Sequence, residues 1–199
     1  MYQDNDFTKP DQNADDAVYW MQITNDERAG MEALYVKYTR ELFRLGMSIK
    51  GDRSLVKDCI QEVFLQIWQY RHTVKATDNV KLYLFKCLSN KIHKEVGKDK
   101  KRYGHLDTDL ETEVEQETGA GASFMSLEKK ISLNNALGQI PSRQKEVIHL
   151  LYYENHSYED ISKIMGINVQ SVYTLAWKAL ANLKKRMVLV WFFLLAFFT

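Results

Sequence analysis

The groups with the clearest chemical potential in this chain are cations and amides, not nucleophiles. Between Lys81 and Arg102, eight basic residues stand against Glu95 and Asp99, a local net of +6. A second set, Asn168, Gln170, Ser171, Tyr173, Thr174 and Lys178, crowds hydrogen-bonding groups into one short stretch. Cations at such density neutralise phosphates, and amides and hydroxyls reach base edges in a groove. Groups for covalent or metal chemistry are not assembled. His72, His93, His105, His149 and His156 include no H-x-x-x-H pair, and none joins a cysteine at ligand spacing. Cys59 and Cys87 lie far apart on apolar-patterned segments, which reads as small buried hydrophobes in a reducing compartment rather than a disulfide. No Gly-rich phosphate loop or nucleophile–base arrangement occurs. The chain is therefore expected to be non-enzymatic, with no cofactor and no metal.

These groups need elements to hold them, and the pattern is helical. The 199 residues contain only 2 Pro and 9 Gly, and 45% are hydrophobic, enough for one large core or two small ones. Met31, Leu34, Tyr35, Tyr38, Leu42, Leu45 and Ile49 recur at spacings of three and four. Asn25 is the expected N-cap of that helix and Gly51-Asp52 its stop. A second helix is expected from about Ser54 to Tyr70, with Val56, Cys59, Ile60, Val63, Phe64 and Ile67 on one stripe. A third is expected from about Asp78 to Val96, with Val80, Leu84, Leu88, Ile92 and Val96 four apart. None of the three buries its stripe alone, so they must share a core. Residues 1–23 read as a loose polar arm, with Val18, Tyr19 and Trp20 as its docking residues.

The charge then reverses. From Asp107 to Glu128 there are seven acids and no Lys or Arg, with Gly119-Ala120-Gly121-Ala122 among them. This reads as a flexible acidic linker over 104–126. A second helical region follows from about residue 127. Leu127, Ile131, Leu133, Ala136, Leu137 and Ile140 pattern one helix, and Ser142 caps the next. Ser157 with Asp160 makes a capping box. Gly166 sits where a left-handed turn is needed, and Asn168 caps a further helix with Val172, Ala176, Leu180 and Leu183 as its buried stripe. A short helix, a Gly turn and a second helix with polar residues at its start is a helix-turn-helix geometry suited to a major groove. The plainer alternative is a helical hairpin whose polar face meets only water.

Two separated stretches resemble the extracytoplasmic-function (ECF) branch of RNA polymerase sigma factors. One is Asp58-Cys-Ile-Gln-Glu-Val-Phe-Leu-Gln-Ile-Trp68, and the other is Ile140-Pro-Ser-Arg-Gln-Lys-Glu-Val-Ile148 with the helix-turn-helix behind it. Their order and the charged tether between them also match. The resemblance implies an all-α chain of two helical domains joined by the acidic linker. Residues 24–103 would form the domain that binds core polymerase and the minus-ten element, and 127–186 the domain that binds the minus-thirty-five element. Asp58, Gln61, Glu62 and Phe64 would face polymerase. Lys86, Asn90, Lys91, Lys94, Lys98, Lys100, Lys101 and Arg102 would meet opened minus-ten DNA, with Tyr83 and Phe85 either stacking on bases or lying in the core. Asn168, Gln170, Ser171, Tyr173, Thr174 and Lys178 would read the minus-thirty-five element. The acidic linker would thread toward the polymerase's RNA path.

The chain also departs from the pattern. Many members carry Lys or Arg where this sequence has Tyr173 and Leu175, and Asp and Arg where it has Lys94 and Gly97. Phosphate contacts then fall to Lys178, Lys184, Lys185 and Arg186. The partners implied are RNA polymerase core, promoter DNA and an anti-sigma factor, and the implied location is cytoplasmic.

Met187 to Phe198 is an unbroken apolar run behind Lys184-Lys185-Arg186. It is short of the roughly 20 residues a membrane-spanning helix needs. Packing on the domain or docking on a partner is the favoured expectation for residues 187–199. Contact with the membrane surface, peripheral to the inner membrane, is the alternative. Two other functions compete with the sigma reading: a helix-turn-helix regulator acting without polymerase, and a tail-anchored helical adaptor with no DNA role. The regulator has no need of the Asp58–Trp68 segment.

Overall fold

A computed structural model of the protein describes residues 12–74, 77–103 and 135–197, with side chains for 15–74, 77–98 and 135–185. The expected linker at 104–126 lies outside the described residues. Every regular element described is helical, and no strand occurs among the described residues.

Four helices form the N-terminal body: α1 (Gln12–Thr24), α2 (Arg28–Ile49), α3 (Arg53–Gln69) and α4 (Val80–Tyr103). The expected stripes form its core. Leu34, Tyr38, Leu42, Leu45 and Ile49 of α2 meet Val56, Cys59, Ile60, Val63, Phe64 and Ile67 of α3 and Val80, Leu84, Leu88 and Ile92 of α4. Helices α2 and α3 approach closely at Gly46, where an added Cβ would lie 2.5 Å from Val56 Cγ1. Asp52 caps α3 by accepting from the Leu55 amide at 3.0 Å. Asn79 Oδ1 accepts from the Leu82 amide at 2.8 Å at the start of α4. That helix runs past its expected end near Val96, because Gly97 is neither a stop nor a close-packing position.

The loose-arm expectation for residues 1–23 is corrected from Gln12 onward, because α1 docks on the bundle. Of Val18, Tyr19 and Trp20, it is Trp20 that buries, together with Ile23. The anchor is polar as well as apolar. Buried Asp16 accepts from the Tyr38 hydroxyl and pairs with Lys37 Nζ at 2.6 Å. Burial, reinforced by Asp16, pushes the Tyr38 phenol well above its usual range. Because α1 exists, Asn25 and Asp26 form the turn between two helices, with Asp26 at φ 66°. Glu27 therefore occupies the N-cap of α2, where Asn25 was expected, and its side chain makes no capping bond.

The C-terminal body holds α5 (Ser142–Ile148), a π-helical turn (His149–Tyr153), α6 (Tyr158–Met165) and α7 (Val169–Phe197). Residues 135–138 are also helical. Leu127, Ile131 and Leu133 lie outside the described residues. The core joins Ala136, Ile140, Val147, Leu150, Ile161, Ile164, Met165, Val172, Ala176, Ala179 and Leu183. Leu180, expected on the buried stripe of α7, is 44% exposed and Ala179 takes its place, because the inward positions step by four, three and four. Ser142 does not cap α5. Pro141 holds the N-cap position, and its carbonyl accepts from the Gln144 and Lys145 amides at 2.8 and 3.0 Å. Helix α2 packs on α5, and α4 packs on α6, so the two bodies touch.

Candidate nucleic-acid interface

Helix α4 offers its charge on one side and its apolar stripe on the other. Lys86, Asn90, Lys94 and Lys98 are exposed at steps of four, while Leu84, Leu88 and Ile92 are fully buried. The period of 3.6 makes this separation inevitable once the stripe is buried. Lys98 is tied to Glu95 at 2.9 Å, a pair exposed enough to be readily exchanged for phosphate. Lys91 is different. Its half-buried ammonium pairs with Glu62 of α3 and lies 3.2 Å from Glu95. The hydrogen bond to Glu62 is the main reason its pKa is raised. The structure thus joins a member of the expected DNA set to a member of the expected polymerase set. Lys100, Lys101 and Arg102 belong to the last turns of α4, and their side chains lie outside those described. Of the two aromatics weighed as stacking platforms, Phe85 is fully buried. Tyr83 is half-buried, edge-on to Trp20 at 5.3 Å.

The second polar set is built by local rules. Ser157 Oγ accepts from the Asp160 amide at 3.1 Å and starts α6. Gly166, at φ 64° and ψ 36°, ends it in the left-handed region, which costs glycine little. Arg143 Nη1 donates to the Met165 carbonyl at 3.4 Å, so α5 steadies the turn. Asn168 Oδ1 accepts from the Ser171 amide at 2.7 Å, capping α7 as expected. Gln170, Tyr173, Thr174 and Lys178 are exposed, and Ser171 is half-exposed. The Tyr173 ring stacks on Tyr158 at 4.0 Å, and Thr174 Oγ1 donates to the Gln170 carbonyl at 3.0 Å. Asn182 Nδ2 donates to Gln144 Oε1 at 2.8 Å, fixing α7 against α5. Trp177, one turn beyond Tyr173 and 70% exposed, also lies on this helix. Its position was legible as an i+4 neighbour of Tyr173, but no polar group drew notice to it.

On α3, Asp58, Gln61 and Glu62 are exposed along one face, as expected. Phe64 is not on that face. It is 6% exposed and packs edge-on against Tyr35 at 5.0 Å, so it presents its ring to the core and not to a partner. Leu65, 65% exposed and seven residues after Asp58, completes the face instead. Sequence reasoning passed over it because an apolar residue beside a buried stripe looks like part of the stripe. Cys59, buried in the same helix, has its thiol pushed up to about 11 by burial. The described residues contain no group of three or more His, Cys, Asp or Glu able to hold a metal ion. Among the described residues no helix is long and apolar enough to cross a membrane.

Comparison with known proteins matches these two bodies separately. Residues 34–102 match the family model of Sigma-70 region 2, and residues 130–183 match that of Sigma-70, region 4. The chain is 25% identical over 154 residues to the ECF RNA polymerase sigma factor SigM of Bacillus subtilis (strain 168), covering 77% of this chain and 93% of that one. It is 22% identical over 163 residues to the ECF RNA polymerase sigma factor SigX of the same organism, covering 80% and 84%. The fold is shared with the sigma factor RpoE of Bartonella quintana, solved in complex with the anti-sigma factor NepR. That match has a TM-score of 0.61 at 19% identity and covers 78% of this chain and 95% of that one. It is shared also with CnrH, solved in complex with the cytosolic domain of CnrY, at a TM-score of 0.60 and 17% identity, covering 86% and 96%. The two bodies and their order define a sigma factor. The chain belongs to the sigma-70 family, in its ECF branch.

Proposed function

We propose that this chain directs RNA polymerase core to specific promoters, as a non-enzymatic initiation subunit working in the cytoplasm. The observation that carries the reading is a pair of exposed polar faces on separately buried scaffolds: Lys86, Asn90, Lys94 and Lys98 on α4, and the first turns of α7. The first face suits phosphates and unstacked bases of an opened minus-ten element. The second suits the major groove of a duplex minus-thirty-five element, with Gln170 and Asn168 as amides for base edges and Lys178 for phosphate. Asp58, Gln61, Glu62 and Leu65 form the face on which polymerase would sit. That face disfavours a regulator working without polymerase, which would leave it without a use. An anti-sigma factor is a further partner on this reading, since RpoE and CnrH were both solved with proteins bound.

Run-off transcription with purified core polymerase tests the proposal. The full chain is expected to confer start-site selection on a promoter it recognises. Lys94→Ala is expected to weaken binding across sequences and lower the salt slope by about 1, whereas Gln170→Ala is expected to relax preference at one upstream base pair. A chain that neither binds core polymerase nor selects a start site would overturn it.

A further inference from the structure

The exposed face at the start of α7 carries no charge. Gln170, Tyr173, Thr174 and Trp177 step by three, one and three, so they share one side of the helix. Val172, Ala176, Ala179 and Leu183 bury the other side. From Val169 to Trp177 there is no Lys, Arg, Asp or Glu, and Lys178 is the first cation of the helix. Two of the four exposed groups are large aromatic rings. The Tyr173 ring is held by Tyr158 of α6, stacked at 4.0 Å with 18° between the planes. Tyr158 is itself packed against the core of the C-terminal body. Thr174 has spent its hydroxyl proton on the Gln170 carbonyl. The face thus offers a groove one side-chain amide and two rings, with no cation among them.

We propose that Tyr173 and Trp177 are thymine readers, with Tyr158 as the residue that positions Tyr173, so that the upstream duplex element selected by this chain is rich in A·T pairs. The inference rests on the promoter-recognition reading and deepens it. In the major groove guanine shows two acceptors, and its commonest protein partner is a bidentate Arg or Lys. This face has neither. Adenine shows an acceptor beside a donor, which the Gln170 amide matches at both ends. Thymine carries a methyl group on its edge, and no other base does.

An exposed ring brought into the groove gains from leaving water only where it covers apolar surface in turn. The thymine methyl is the group that meets that need. The stack on Tyr158 fixes the Tyr173 ring before DNA arrives, so little side-chain freedom is lost on docking. Leu180, exposed three residues beyond Trp177, extends the apolar stripe, which makes a protein partner the rival occupant. The polar neighbours Gln170 and Thr174, at the N-terminal end of the second helix of a helix-turn-helix, favour base edges.

Promoter fragments randomised across the upstream element, selected with the full chain and core polymerase, test the proposal. The selected sequences are expected to be rich in A·T pairs there. Deoxyuridine then replaces thymidine one pair at a time, which removes the 5-methyl and leaves every hydrogen bond in place. Two such replacements are expected to weaken binding about 4-fold each, the worth of one buried methyl group. Tyr173→Ser is expected to abolish that difference at one pair and Trp177→Ser at the other, with parental helix content by circular dichroism. Tyr158→Ala is expected to shrink the difference at the Tyr173 pair, and Tyr158→Phe to preserve it. A general loss of stability would instead weaken thymine and uracil DNA alike. Upstream elements rich in G·C, uracil DNA bound as tightly as thymine DNA, or a methyl dependence that survives both serine changes overturns the proposal. Serine variants that lose affinity for core polymerase without DNA, with no methyl dependence in the parent, make the stripe a protein contact and overturn it as well. These outcomes leave the promoter reading standing. If no promoter is selected at all, that reading fails and the inference falls with it.

Discussion

Leu65 and Phe64 are neighbours in sequence with opposite fates in the fold, and that contrast can be measured. Leu65 is 65% exposed, so about two thirds of the roughly 1.5–3 kcal/mol available from burying a leucine is still to be gained when a partner covers it. Leu65→Ala is therefore expected to leave the melting temperature nearly unchanged and to weaken core-polymerase binding by about 1–2 kcal/mol, roughly 5- to 30-fold in Kd. Phe64 is 6% exposed and held edge-on by Tyr35. Phe64→Ala opens a cavity and is expected to cost about 3–5 kcal/mol of folding stability. For a chain of this size that lowers Tm by about 6–20 °C. Thermal melts followed by circular dichroism give the first quantity, and fluorescence titration against core polymerase gives the second. The reasoning fails if Leu65→Ala binds with parental affinity. It fails also if Phe64→Ala keeps the parental Tm yet loses binding.

Glycine substitutions should split in sign. Gly46→Ala gains about 1 kcal/mol of helix propensity but forces a methyl to 2.5 Å from Val56 Cγ1, so it is expected to lower Tm, and adding Val56→Ala should recover part of the loss. Gly97→Ala meets no atom within 4 Å and is expected to raise stability by about 0.5–1 kcal/mol in the same melts. Asn168→Ala removes the cap of α7 and is expected to cost about 1 kcal/mol of stability in denaturant titration, with a separate loss of upstream-element binding in gel shift. Burial pushes the Glu154 carboxyl up, but His149 and Lys81 pull it down harder, to about 2. Its contribution to stability is thus complete above the ordinary value of 4.5 and lost as pH falls from there toward 2, by up to about 3 kcal/mol. Urea titrations across that window should show a shallower pH dependence for Glu154→Gln, and an unchanged slope would refute the pairing.

Much of this was legible because it is local. The stripes of α2, α3 and α4 follow from a helical period written in Leu, Ile and Val, and the caps at Ser157, Gly166 and Asn168 are each made with a partner three or four residues away. What escaped was decided at a distance. Asp16 looks like one more acid in a polar arm until Tyr38 and Lys37, more than twenty residues on, bury it. Glu146 looks like a solvent residue on a short helix, and its burial depends on Ser89 and His93 in the other body. The π-helical turn at His149–Tyr153 has no residue signature, and its extra residue decides which side chains of that stretch turn inward. Leu65 and Phe64 shared one apolar pattern, and only the packing of Tyr35 told them apart.

The helix that begins at Val169 continues without a break to Phe197. At 1.5 Å per residue its 29 residues make a rod about 44 Å long. Its first turns carry the exposed Gln170, and its backbone helix continues past Leu183, the last buried position among the residues whose side chains are described. A rod of this kind is stiff along its whole length. A load applied near Trp191 would be carried back along an uninterrupted ladder of backbone hydrogen bonds to Gln170, with no hinge in between to absorb it.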